Sequence, residues 1–276
     1  REPRTKILAS MLSGPIDIDK MDYLARDSLH AGVPYGRNFD VGRLIGSLCL
    51  NAAGDGLAIS EKGKTAAEMM VFARYVMFSE VYWHHAVRAA TAMLQRAFFL
   101  LHGSLDLDAL FRLSEAEMIA EMQRTAGDGP ARELLDALFG PSRKIYKRLA
   151  QYSFFEQRAL YDQLARRPYP WLAACAEKFA AVASTRLGRV VAPHEVLFDA
   201  PPVEREVEFN VEVYFAKERR YRQLGEVSPV VRTLAKEQFD DYVKRVRIFV
   251  HPRIADDLRG VDDLPELLLT AVERTG

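Results

Sequence analysis

The chain has 276 residues and carries 38 Lys plus Arg against 38 Asp plus Glu, so its formal net charge is zero. A neutral chain has no global basic field with which to grip duplex nucleic acid. Its 49% hydrophobic and 28% charged residues exclude disorder and collagen-like structure and fit one large or two modest globular domains. No apolar run nears the roughly 18 residues needed to span a bilayer, and nothing reads as a basic-then-apolar leader. Cys49 and Cys175 are too few for a disulfide scaffold and too far apart for a zinc knuckle, so a reducing cytoplasm and no membrane partner are expected.

In chain order, residues 17–30 have an amphipathic helical pattern, with Pro15 and Asp17 as start signals and Gly32 as a stop. Residues 40–50 read as a second helix, and NAAGDG at 51–56 as a turn. The longest helical pattern covers 64–101 without a proline; Met69, Ala73, Met77 and Val81 form its buried stripe. Helices follow at 106–111, 114–125, 130–139, 142–150, 154–166 and 170–186. The period then changes. Residues 195–199 and 245–250 read as strands, and VEFNVEVYF at 207–215 alternates as a half-buried strand should. Ser228 and Pro229 open a helix running to about 242. The pattern is an α-helical body with a small α+β tail from about 190.

Three stretches carry groups with chemistry. In IDIDKMDYLARDSLHAGVPYG at 16–36, helical geometry puts Asp19, Tyr23, Arg26 and His30 on one face and Lys20 and Asp27 on an adjacent stripe. Such a face suits a metal-bound phosphate ester, because Asp ligates hard cations and Lys and Arg neutralise phosphate oxygens. A solvated, salt-bridged surface helix would carry the same residues. In ARYVMFSEVYWHHAVRAA at 73–90, one continuous helix would aim Arg74, His85 and Arg88 along one face, with Tyr82 about 80° round from Arg74. Buried Arg and His need partners, which a phosphate or carboxylates of the first helix would supply. KERRYRQ at 217–223 is either an anion or RNA contact or, more commonly, a solvated loop. No P-loop, Rossmann fingerprint, hydrolase elbow or zinc motif occurs.

Together the first two stretches resemble HD-domain phosphohydrolases, in the branch that contains the deoxynucleoside triphosphate triphosphohydrolases. The first resembles the motif around the last metal-binding aspartate, the second a later helix of the same branch, and RKIYKRL at 143–149 is a weaker third match. The resemblance implies a mainly α fold: a partial HD-type helical bundle at 1–150, a helical connector at 151–189 and an α+β region at 190–276. It implies that Asp19 is a ligand of a divalent metal (Mn, Mg, Zn, Fe or Ni). It implies that Lys20, Tyr23, Asp27, Arg74 and Tyr82 contact a nucleotide substrate, with Arg26, His30, His85 and Arg88 as further candidates.

The family's metal is also held by an upstream His and an adjacent His-Asp pair. The six histidines here are 30, 84, 85, 102, 194 and 251; none precedes Asp19 and none is followed by Asp. The expectation is therefore the C-terminal portion of a longer dNTP triphosphohydrolase, supplying part of the active site and inactive alone. Its partners would be the missing N-terminal portion or further copies of itself. The alternative is a catalytically incomplete nucleotide-binding, oligomerisation or regulatory module.

Overall fold

The computed structural model describes residues 3–202, 210–234 and 243–276. The chain opens with α1 (Pro3–Ser13), α2 (Ile18–His30) and α3 (Val41–Ile45), then β1 (Leu48–Leu50) and β2 (Leu57–Ser60). Next come α4 (Lys64–Met77), a π-helical turn Phe78–Tyr82, α5 (His85–Leu101), α6 (Leu107–Leu110), α7 (Glu115–Ala126) and α8 (Pro130–Phe139). β3 (Lys147–Tyr152), α9 (Arg158–Leu164), α10 (Tyr169–Leu187) and β4 (Val196–Asp199) follow. The last part holds β5 (Glu212–Phe215), β6 (Arg220–Gln223), α11 (Leu224–Val227), α12 (Pro229–Arg232), β7 (Val246–Val250), α13 (Pro252–Arg259) and α14 (Leu264–Glu273). The architecture is mainly α with small sheets, as the sequence implies.

These elements form two compact units, each discontinuous in sequence: 1–84 with 205–243, and 85–204 with 244–276. The first unit contains a four-stranded sheet in the order β1-β2-β5-β6, in which β2 and β5 run parallel and the other pairs antiparallel. Its core is Leu24, Leu44, Ile59, Met70, Met77 and Val213, all fully buried. The second unit has a three-stranded antiparallel sheet in the order β3-β7-β4. On central β7, Val246, Ile248 and Val250 join one cluster with Phe179 of α10, while Phe249 joins another with Met93 of α5 and Leu134 of α8. A strand covered on both faces buries every residue, and β7 does. Each such apolar side chain contributes about 1.5–3 kcal/mol by leaving water.

Several expectations need correction. The pattern at 64–101 is not one helix: α4 passes into the π-helical turn and α5 restarts at His85. The segment 40–50 gives only the short α3 and then β1, because Leu48–Leu50 find partners in Leu57–Ile59. The segment 142–150 is not helical; Lys147–Tyr152 pair with β7. KERRYRQ is not a loop throughout, since Arg220–Gln223 form β6. The α+β tail is divided: β5, β6, α11 and α12 complete the first unit, and β4, β7, α13 and α14 the second. Residues 207–209 of the expected strand and 235–242 of the expected helix lie outside the described residues.

The first histidine-bearing motif owes much of its pattern to backbone packing. Gly32 sits at φ +68°, where side chains are strained. A Cβ on Gly36 would lie 1.9 Å from the Leu24 carbonyl oxygen, so only glycine lets the 35–37 turn rest on α2. Ser28 holds that turn by accepting from the Gly36 N–H at 3.2 Å and donating to the Val33 carbonyl.

Candidate functional site

In the first unit, α2 and the end of α4 bring four of the named side chains together. Asp17 caps α2 by accepting from the Lys20 N–H at 2.7 Å, which sets where the helix begins. Tyr23 and Asp27 then stand one turn apart on α2. Arg74, Phe78 and Tyr82 repeat the four-residue step along α4 and the π-helical turn. Tyr82 donates its hydroxyl proton to Asp27 at 2.9 Å. The rings of Tyr23 and Tyr82 meet edge to face at 6.1 Å, and Phe78 meets Tyr82 the same way at 5.1 Å. The Arg74 guanidinium lies 5.5 Å from the Phe78 ring centre, and its positive charge acts on the Tyr23 hydroxyl.

Burial pushes the Tyr82 hydroxyl well above the ordinary phenol range, and the adjacent Asp27 carboxylate adds to the shift. Burial also raises Tyr23, while Arg74 opposes that shift. Both phenols therefore remain neutral donors at physiological pH. The Arg74 Nε is buried and has no hydrogen-bond partner among the described residues. A half-buried cluster with two phenols, a carboxylate and a guanidinium that keeps a spare donor can hold an anionic, hydroxyl-bearing ligand.

The other candidates fall elsewhere. Asp19 is exposed. Lys20 is occupied: its ammonium reaches Asp17 at 2.5 Å and the Gly14 carbonyl at 3.0 Å. Arg26 is exposed and pairs with Asp22 at 2.9 Å, so that part of α2 is the salt-bridged surface that its composition also allowed. His30 is exposed in the last turn of α2, where a cation complements the helix dipole. His85 and Arg88 belong to the second unit, and the face they were to share with Arg74 required a continuous helix that the π-helical turn breaks. Arg88 holds Asp199 through two hydrogen bonds at 3.0 and 2.5 Å. In KERRYRQ, Glu218 pairs with Arg222 at 2.5 Å, and the Tyr221 hydroxyl donates to the Leu50 carbonyl. Phe78 and Asp17 complete the α2–α4 region without having been named for it. The Arg74–Phe78–Tyr82 spacing is the signal that marks Phe78; nothing in the sequence distinguishes Asp17's grip on Lys20 from a simple cap.

Among the described residues, no three His, Cys, Asp or Glu side chains come together as a group that could hold a metal ion. Asp19 alone does not fit a divalent-metal centre, since ligand number and geometry set affinity. No helix of the described residues is long and apolar enough to cross a membrane.

The family of the HD associated region matches residues 39–261. The chain belongs to that family. This HD-associated chain is 27% identical over 235 residues to an uncharacterized protein of Methanocaldococcus jannaschii, covering 84% of this chain and 48% of that one. It is 33% identical over 110 residues to a putative HD domain-containing protein of Acanthamoeba polyphaga mimivirus, covering 40% and 22%. A hypothetical protein of known structure from Aquifex aeolicus aligns with a TM-score of 0.63 at 26% identity, over 94% of this chain and 60% of that one. A phosphohydrolase structure from Bacteroides thetaiotaomicron aligns with a TM-score of 0.60 at 19% identity, over 91% and 64%, and shares the fold. The chain spans about half the length of the first of these curated relatives and less of the other.

Proposed function

We propose that the HD-associated chain carries the substrate-binding side of a phosphohydrolase site and that the substrate is a deoxynucleoside triphosphate. The observation that carries this reading is the Tyr82–Asp27 hydrogen bond beside Tyr23 and Arg74. Arg74 would neutralise phosphate oxygens through its spare Nε–H. Asp27 would accept from a sugar hydroxyl, with Tyr82 fixing its orientation, and the Tyr23 ring would wall the sugar. The lone Asp19 supports a centre completed outside this chain, and no hydrolytic step is assigned to these residues alone. The exposed apolar side chains Ile18, Leu29 and Ile45 border a groove along α2. We assign that groove to contact with the remainder of the longer protein, in keeping with the greater length of the relatives.

Calorimetric titration of this chain with dATP, ATP and deoxyadenosine tests the reading. Binding of dATP that falls at least tenfold in Arg74→Gln, about 1.4 kcal/mol, is expected. Equal binding by wild type and Arg74→Gln overturns it. The second reading, a nucleotide-binding or regulatory module without turnover, is favoured by the isolation of Asp19. Binding without hydrolysis by the full-length protein would establish it.

A further inference from the structure

KERRYRQ at 217–223 takes no part in the α2–α4 cluster. In the first unit it forms most of the turn and the second strand of the β5–β6 hairpin, at the edge of the four-stranded sheet. We infer that this hairpin binds single-stranded nucleic acid, with bases on the Tyr214–Tyr221 pair and phosphates on the basic turn.

Strand alternation sorts the hairpin's side chains onto two sides. Val213 is buried in the core with Phe215 packed against it, so their cross-strand partners Arg222 and Arg220 share that side. Tyr214 and Tyr221 pair across the strands on the other side. Their rings lie 4.8 Å apart at a tilt of 37°, and both residues are half-buried. Neither joins an apolar cluster of the described residues. The Tyr221 hydroxyl donates to the Leu50 carbonyl at 3.1 Å, which holds its ring in place. Glu212 shares the tyrosine side, where its carboxylate accepts from the Ala52 N–H at 2.9 Å. A fixed aromatic pair outside the core offers a π-face on which an unpaired base can stack.

The turn supplies the charge. Lys217, Arg219 and Arg220 are exposed, and Arg222 lies over the Phe215 ring at 5.2 Å. Glu218 is the one acid of the stretch, and it pairs with Arg220 and Arg222. Arg219 sits at φ +49°, a left-handed conformation that suits glycine and strains other side chains. A turn that only reversed the chain would carry glycine or asparagine there, whereas this one keeps a cation at its tip against that cost. The chain as a whole is neutral, so the charge is a local patch and not a field over the whole surface. Such a patch beside aromatic rings fits an unpaired strand, whose bases can splay onto the rings. A duplex keeps its base faces stacked away, and an acidic peptide would leave the rings unused.

The test is fluorescence anisotropy of this chain with labelled oligo-dT and oligo-U of about 12 nucleotides, and with a duplex of the same length, over a series of salt concentrations. Binding of the single strands, tighter than that of the duplex, is expected. Log affinity should fall linearly with log salt, and Arg219→Gly should flatten that slope by about 0.7, the share of one phosphate contact on a single strand. This variant relieves the left-handed strain, so binding lost in it does not come from unfolding. Tyr214→Leu should weaken binding about fivefold and leave the salt slope unchanged, because stacking carries no counterion release. A preference for oligo-dT or for oligo-U upholds the inference and names the sugar. An unchanged slope in Arg219→Gly overturns it, as does a duplex bound as tightly as the single strands. Poly-glutamate bound as tightly as the oligonucleotides would make the hairpin a protein contact instead. Displacement of the oligonucleotide by excess dATP, or its loss in Arg74→Gln, would place it on the α2–α4 cluster and overturn the inference as well.

Discussion

Two acid-centred clusters, one in each unit, use similar groups in opposite surroundings. In the first unit, Asp27 accepts from Tyr82, its near neighbours are half-buried, and Arg74 keeps a nitrogen with no partner among the described residues. In the second, Asp199 is 2% exposed and lies in register with Arg247 across β4 and β7, while Arg88 clamps both its oxygens. Burial pushes the Asp199 carboxyl up despite Arg88, and lowers Arg247 to about 10. Arg247 also donates to Gln151 of β3 at 2.9 Å, so the row ties three strands together. The contrast separates two uses of charge. A buried acid with its cations in place specifies packing, whereas a half-open acid beside a spare donor is poised for a ligand.

Alanine at each acid breaks this comparison most directly. Asp199→Ala removes the carboxylate that Arg88 grips and that faces the buried Arg247, and should cost about 3–5 kcal/mol in urea unfolding. Asp27→Ala should cost about 1 kcal/mol or less, the worth of one partly exposed hydrogen bond, and act instead on nucleotide affinity. Equal stability losses at the two positions would remove the distinction. A smaller effect separates packing from binding within the first motif itself. Gly36→Ala forces a methyl against the Leu24 carbonyl and should destabilise by roughly 1–3 kcal/mol. Once the variant is folded, its nucleotide affinity should be that of wild type, because Gly36 packs on α2 and touches none of the cluster.

How much of this was legible in the sequence differs between the units for a physical reason. Local signals carried α2: its cap at Asp17, its amphipathic period and the stop at Gly32 all hold. The strands expected at 195–199 and 245–250 hold as well, being β4 and β7, although both are buried throughout rather than alternating. What failed was decided by distant partners. Lys147–Tyr152 has no strong strand pattern and becomes β3 only because β7 offers a ladder. Leu48–Leu50 becomes β1 because β2 lies beside it. The π-helical turn at Phe78–Tyr82 has no proline or glycine to announce it, yet it sets the phase in which Tyr82 meets Asp27. The candidates on α2 and α4 were found by motif; which of them share a cluster was a matter of tertiary packing. Lys20 shows the limit, since its spacing is that of a phosphate contact while its ammonium is engaged by Asp17.

The smallest expected effect, a pH dependence, extends the comparison to a third kind of polar site, a helix cap in the second unit. His251 is the N-cap of α13, and its Nδ1 accepts from the Arg253 N–H at 3.1 Å. Only a neutral imidazole with an unprotonated Nδ1 can do so. Burial lowers its pKa; Glu195 and Glu133 oppose that, while Arg253 and His194 assist it, and Tyr146 packs edge to face against the ring. With the folded pKa below the unfolded value near 6.5, the unfolded chain binds the extra proton, so stability rises with pH through that window. As pH falls from about 7 toward the depressed folded value, the cap's contribution is lost. Asn at 251 keeps an acceptor that does not titrate. His251→Asn should therefore flatten the pH profile of the unfolding midpoint between about 5 and 7 while leaving the plateau above 7 near wild type. A wild-type profile already flat in that window, or a variant that keeps the same slope, would take the titration away from His251.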